Sequence, residues 1–247
     1  MISIITLQKA CHMLDELKQK VLEANLELAE YGLVVFTWGN VSERDPETGL
    51  IVIKPSGVSY DSLQTTDMVV LNPDGSQVEG RLKPSSDAPT HLELYRAFDK
   101  IGGIVHTHSA YATAWAQARK AIAPFGTTHA DYFHGPVPCT RAMTAEEITG
   151  QYETNTGKVI VEHFTTEDLD PGRFPGALVA THGPFTWGDT PQAAVDCAVI
   201  LEYIARLASE TVKINSYPGR ISDELLNKHF LRKHGAERYY GQDRTNV

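Results

Sequence analysis

Gly102-Gly103-Ile104-Val105-His106-Thr107-His108-Ser109 is the stretch whose reading decides the fold. Two glycines followed by two β-branched residues mark the start of a strand. On a strand, residues i and i+2 share a face, so His106 and His108 can converge on one metal ion. A third histidine, His182, follows the apolar run Ala177-Leu178-Val179-Ala180-Thr181, which reads as a second strand ending at a Gly-Pro turn. Two histidines from one strand and one from the end of another make a three-His set with open positions. Catalytic rather than structural zinc is held in this way. A lone histidine is more often a surface or core residue, so the weight rests on the convergence of three.

Outward from this strand, Thr90–Phe98 and Ala110–Ala118 read as helices. Residues 7–31 carry an apolar stripe at helical spacing, through Leu14, Leu17, Val21, Leu22, Leu26 and Leu28. Leu33–Thr37 and Leu50–Ile53 read as strands of a hairpin over 33–53, turning at Asp45-Pro46-Glu47-Thr48-Gly49. Met68–Leu71 is a third strand, with the chain returning around Val78 after Asn72-Pro73-Asp74-Gly75. Residues 158–164 and 176–181 read as strands. Pro191–Glu210 reads as a long helix with proline at its start, and Ser222–His234 as another. Hairpins and helices mix without regular βαβ alternation, which favours a mostly antiparallel sheet flanked by helices. No repeat or linker interrupts the 247 residues, so one domain over 1–247 is expected.

The net charge of −9 and pI near 5.5 argue against a nucleic-acid partner. No apolar run is long enough to span a bilayer, and Met1-Ile2-Ser3-Ile4-Ile5 lacks the features of a signal peptide. Cys11, Cys139 and Cys197 are odd in number and widely spaced, so they are read as reduced thiols of a cytoplasmic protein.

Two loops after strands, Lys54-Pro55-Ser56-Gly57-Val58 and Lys83-Pro84-Ser85-Ser86-Asp87, combine glycine or helix-start amides with serine hydroxyls. Such loops suit a phosphate dianion, with Lys54 adding charge and Asn40 a further donor, but each also reads as an ordinary turn or N-cap. Asp131, in Gly126-Thr127-Thr128-His129-Ala130-Asp131-Tyr132, is a candidate general acid or base. The C-terminal run from Lys228 to Gln242 is dense in titratable groups, a pattern commoner in subunit contacts than in chemistry.

Taken together, Thr37-Trp38-Gly39-Asn40-Val41-Ser42, the two Lys-Pro-Ser loops, the His106-Thr107-His108 strand, the Asp131 segment and Leu231-Arg232-Lys233-His234-Gly235-Ala236 resemble the class II aldolase/epimerase superfamily. The resemblance runs from Val21 to Gln242, and within the superfamily it is to the pentulose-5-phosphate 4-epimerases. It implies a three-layer α/β/α fold around a mostly antiparallel sheet, and a homotetramer with active sites shared between subunits. It implies one Zn2+ per subunit on His106, His108 and His182, with Asp87 as a ligand or beside the metal; manganese or cobalt would also suit such donors. Asn40, Lys54, Ser56, Gly57, Ser85 and Ser86 would line a phosphate pocket. Asp131 would be one acid/base group and Tyr240 from the neighbouring subunit the other, with the neighbour's His229 also in the site. The superfamily's aldolases typically carry glutamate where this chain has Asp87, and its epimerases carry aspartate. The implied activity interconverts L-ribulose 5-phosphate and D-xylulose 5-phosphate, in arabinose catabolism or an ascorbate- or xylulose-linked route. An aldolase cleaving a ketose 1-phosphate and a non-catalytic scaffold of the same fold are the rival expectations.

Overall fold

The computed structural model describes residues 4–240, with side chains from Leu14 onward; the Cys11 side chain and Gly241-Gln242, the end of the span that resembles the superfamily, lie outside the described residues. Helix α1 spans Ile4–Glu30 and buries Leu17, Val21, Leu22, Ala24 and Leu28. The strands are β1 (Asn40–Arg44), β2 (Ile51–Ile53), β3 (Val69–Leu71), β4 (Gln77–Glu79), β5 (Gly103–His106), β6 (Gly176–Leu178) and β7 (Pro184–Gly188). They form one seven-stranded sheet in the order β4-β3-β2-β1-β5-β7-β6. Every neighbouring pair is antiparallel. The remaining helices are α2 (Ala88–Ala97), α3 (Ala110–Gln117), the single turn α4 (Thr127–Ala130), α5 (Ala145–Thr149), α6 (Tyr152–Thr166), α7 (Pro191–Ile214) and α8 (Asp223–His234).

Strand β5 lies inside the sheet between β1 and β7, and its alternation divides the core. Ile104 joins Leu92 and Tyr95 of α2, Phe98 just beyond its end, Ile160 and Phe164 of α6, and Phe185 and Trp187 of β7. Val105, facing the other way, joins Ala24 and Leu28 of α1 and Ala194, Val195 and Ala198 of α7. The inner strands of the sheet therefore lie between two helical layers, whereas β4 at one edge is exposed along its whole length. His106 shares a face with Ile104 and so belongs to the α2/α6 side. The glycine pair before it has a steric cause: a Cβ on Gly103 would lie 2.5 Å from the Thr190–Pro191 backbone where α7 begins. The start of β5 passes under that helix only because it carries no side chain there.

The structure departs from the sequence reading in three places. Residues 158–164 are not a strand but the middle of α6. Thr156, Gly157, Val159, Ile160 and Phe164 are buried at helical spacing, and Gly157 lets α6 approach α2 so closely that a Cβ would meet Glu93 Cβ at 2.6 Å. The β-branched run looked like a strand because its partner surface is another helix, which sequence periodicity over seven residues cannot reveal. Leu33–Thr37 pairs with no strand; Val35 and Phe36 are exposed, and Phe36 takes a left-handed φ of 55°. The hairpin is β1–β2 alone. The chain after residue 178 turns at once, Val179 N–H donating to Gly183 O and His182 N–H to Val179 O, each near 3 Å. It then returns as β7, which the sequence reading missed behind the Gly-Pro pair.

Candidate metal and phosphate site

Three histidines converge where β5 ends and the β6–β7 turn begins. Strand β5 stops at His106, yet His108 still comes round to it, with the two Nε2 atoms 3.2 Å apart. One nitrogen from each of His106, His108 and His182 lies within 4.8 Å of the others, the only such group of potential metal ligands among the described residues. His106 is buried, His182 half-buried and His108 exposed, so the cluster opens to solvent on one side. His106 Nδ1 donates to Pro184 O at 2.9 Å, which fixes that ring's proton and directs the Nε2 lone pair into the cluster. His182 is presented by a strained turn: the preceding Thr181 has a φ of 66°, a conformation that β-branched residues rarely adopt.

These donors fit a divalent cation. His182 Nδ1 is buried and makes no hydrogen bond. Burial and the neighbouring histidines push His182 down to about 3, and burial likewise lowers His108, so both rings are neutral and have lone pairs to give. Asp87, at the N-cap of α2, accepts from Asn40 Nδ2 at 2.8 Å. Burial works to raise its carboxyl, but His106, His91, the Asn40 hydrogen bond and His182 outweigh it and hold Asp87 below the usual carboxylate range. Asn40 is itself set by register, opposite His106 in the β1–β5 ladder. The buried Asn25 of α1 fixes the next residue, accepting from Val41 N–H at 3.0 Å.

A cavity of about 520 Å³ contains all of these groups. Its wall carries the three histidines, Asp87 and Asn40, together with Lys54, Ser56, Gly57, Ser85 and Ser86. The two Lys-Pro-Ser loops are tied to each other, Ser56 N–H donating to Lys83 O and Ser85 N–H to Lys54 O. Lys54 has a more specific place than a free surface charge. It is 1% exposed, donates to Val58 O at 2.9 Å, and lies 4.8 Å from the centre of the Tyr60 ring. Burial lowers it to about 8. Its ammonium thus stiffens the 54–58 loop and adds positive charge behind it. Thr37, Trp38, Tyr152 and Glu153 also line the cavity. Sequence reading missed the last two because they open the helix it took for a strand.

Asp131, His229 and Tyr240 do not line this cavity. They gather elsewhere on the same chain, between the end of α4 and α8. His229 Nδ1 lies 3.0 Å from Asp131 Oδ1, and Arg232 donates to both carboxylate oxygens at 2.9 Å. The Tyr240 ring is covered by Arg232 and Lys233, at 4.7 and 4.6 Å. Burial works against the Asp131 charge, but Arg232, His229 and Lys233 prevail and hold the carboxyl below its usual range. Cys139 and Cys197 are free, their thiols pushed by burial up to about 11 and about 12. No described helix is long and apolar enough to cross a membrane.

The chain is 56% identical over 229 residues, 93% of its length and 100% of the relative's, to the L-ribulose-5-phosphate 4-epimerase UlaF of Salmonella paratyphi B. It is equally similar to the protein of the same name from Salmonella typhi. Among solved structures, it matches an L-fuculose 1-phosphate aldolase with a TM-score of 0.73 at 27% identity, covering 87% of this chain and 94% of that one. It matches YgbL of Klebsiella pneumoniae with a TM-score of 0.69 at 23% identity, over 87% and 98% of the two chains, a likeness of fold alone. The family model for the class II aldolase and adducin N-terminal domain matches residues 19–209, and the chain belongs to that family.

Proposed function

We propose that this protein is a zinc-dependent epimerase interconverting L-ribulose 5-phosphate and D-xylulose 5-phosphate, working by cleavage and re-formation of C3–C4. The observation that carries the reading is the single cavity in which three histidines, the Asp87–Asn40 pair and two serine loops meet. The similarity to the named epimerases, and Asp87 in place of glutamate, favour it over an aldolase.

In a 2-ketopentose 5-phosphate, the C4 hydrogen is β to the ketone and too weakly acidic for simple removal and return. Breaking C3–C4 gives a three-carbon enediolate and glycolaldehyde phosphate, and re-addition to the aldehyde's other face inverts C4. Zinc on His106, His108 and His182, when bound, supplies Lewis-acid stabilisation of the charge that develops on the ketose oxygens. Asp87, fixed by Asn40, adds negative charge at the edge of this group. The hydroxyls of Ser56, Ser85 and Ser86, beside Lys54, hold the phosphate and so keep the mobile fragment from escaping. The C4 hydroxyl proton leaves on one face and returns on the other, which requires two acid/base groups. Asp131 and Tyr240 fill these roles, with His229 holding Asp131. Because neither lines the cavity of its own chain, a neighbouring copy in a homotetramer brings them to it.

The test follows both sugars and free fragments by NMR, with the protein as isolated, chelator-treated and zinc-restored. Zinc-dependent D-xylulose 5-phosphate without fragments is the expected result. Accumulating two- and three-carbon fragments would move the reading to an aldolase, and no reaction in any state would remove it.

A further inference from the structure

Three successive main-chain carbonyls at the edge of the cavity are held by side chains of a different loop. Thr37-Trp38-Gly39 is irregular backbone that leads straight into Asn40, the first residue of β1. Lys54 Nζ donates to Thr37 O at 3.5 Å. The Tyr60 hydroxyl has one proton to give and shares it between Trp38 O at 3.0 Å and Gly39 O at 2.9 Å. Tyr60 is buried and follows Ser56 by four residues, where the short turn Tyr60–Ser62 begins. A Cβ on Gly39 would meet His106 O at 3.0 Å and Tyr60 Oη at 3.4 Å, so the backbone there is gripped between β5 and the tyrosine.

The ring of the same tyrosine makes a second contact. Lys54 Nζ stands 4.8 Å from its centre, and the ammonium also donates to Val58 O at 2.9 Å and Pro55 O at 3.4 Å. An aromatic face attracts a cation most strongly where water is excluded, and Lys54 is buried. Phenylalanine would fill the same space and offer the same ring face. The hydroxyl adds the link across to Trp38 and Gly39. We propose that Tyr60 is a positioning residue that couples two walls of the cavity: its hydroxyl sets the Trp38–Gly39 backbone that delivers Asn40 to Asp87, while its ring seats the Lys54 ammonium and with it the loop that presents Ser56 and Gly57. The coupling stands on these contacts alone, and only its effect on phosphate rests on the function proposed above.

Amide hydrogen exchange tests the coupling in wild type, Tyr60→Phe and Ile204→Val. The last is a mild truncation in the core between α3 and α7, where it touches neither segment. Tyr60→Phe should speed exchange roughly 5- to 10-fold in both 37–42 and 54–58, as one lost hydrogen bond implies, and Ile204→Val in neither beyond its own loss of stability. Affinity for inorganic phosphate, titrated by 31P NMR, should fall about 5-fold in Tyr60→Phe, and KM for L-ribulose 5-phosphate should rise more than kcat falls. Faster exchange in one segment only, or in both by no more than in Ile204→Val, would make Tyr60 a packing residue and overturn the coupling. Coupled exchange with phosphate affinity and KM unchanged would overturn the positioning role. Wild-type protein that neither binds phosphate nor turns over the pentulose phosphate would remove the proposed function instead, and the exchange result then decides the coupling by itself.

Discussion

The His106 imidazole stacks on the Phe185 ring, with centroids 4.1 Å apart and planes 15° from parallel. The two residues are a registered pair of the β5–β7 ladder, and the residue before Phe185 supplies the carbonyl that accepts the His106 Nδ1–H hydrogen bond. One strand thus fixes both the plane and the tautomer of the most buried histidine. Phe185→Leu should lower stability by about 1 kcal/mol through the lost ring contact, before any cavity cost. It should also weaken zinc binding by about 10-fold while leaving all three histidines in place. Thermal melting and chelator competition on one sample separate the two effects; unchanged zinc affinity would show that the stack only fills space.

Removing a histidine of the cluster should act more sharply. His106→Asn and His182→Asn should each bind zinc at least about 100-fold more weakly, beyond what outer-shell changes cause, and lose turnover in proportion. Metal content by atomic emission, read beside activity, checks this. Full turnover at low metal occupancy would remove zinc from the mechanism.

Asp131→Asn and Tyr240→Phe should each keep the fold and the zinc but lose most epimerisation, about 100-fold or more for a group moving a proton in the rate-limiting step. Mixing subunits then asks where the acid/base groups come from. Mixed oligomers of His106→Asn with Asp131→Asn should regain activity, because some sites combine an intact cavity with an intact carboxylate. Mixtures of Asp131→Asn with Tyr240→Phe regain it only if those two residues reach a site from different copies. No recovery in the first mixture would place Asp131 at its own chain's cavity.

Glu43 on β1 makes stability depend on pH away from the site. It is 9% exposed, and one carboxylate oxygen has no hydrogen-bond partner. Burial pushes its carboxyl from 4.5 up to about 7, with Lys20 opposing and Asp45 assisting. Over that interval the folded chain holds a proton that the unfolded chain has released. Its contribution is therefore fully present below the unfolded value and is lost as pH rises through the folded one. Between pH 5 and 8, wild type should lose about 1–2 kcal/mol more stability than Glu43→Gln, a discounted conversion of the shift. Denaturant melts of both proteins across that range check the sign; parallel curves would mean that Glu43 titrates normally.

The sequence carried the centre of this molecule further than its margins. The Gly102-to-Ser109 stretch foretold β5 as far as His106, because its glycines and β-branched pair answer to one local geometry; His108, read on the same strand, lies beyond its end. Pro191, with proline at N1 and Thr190 capping, started α7 where expected. The loops at Ser56 and at Ser85–Ser86 were legible as phosphate cradles or as turns, and only the shared cavity shows that they face one another. Residues 158–164 deceived because their β-branched run packs on α2, a surface hundreds of atoms away in the chain's own arithmetic. Tyr152 and Glu153 went unseen for the same reason.

Asp131 and Tyr240 stand apart from the cavity of their own chain. If a neighbour supplies them, as proposed, turnover is a property of concentration. Diluted below the dissociation constant of such an assembly, each subunit would keep its fold and its three-histidine cavity and still do nothing. Specific activity would then fall along a binding curve rather than a denaturation curve. The contact surface around α8 would be held by the same constraint as the cavity itself, and a substitution there, far from any substrate atom, would read in an assay as a catalytic defect.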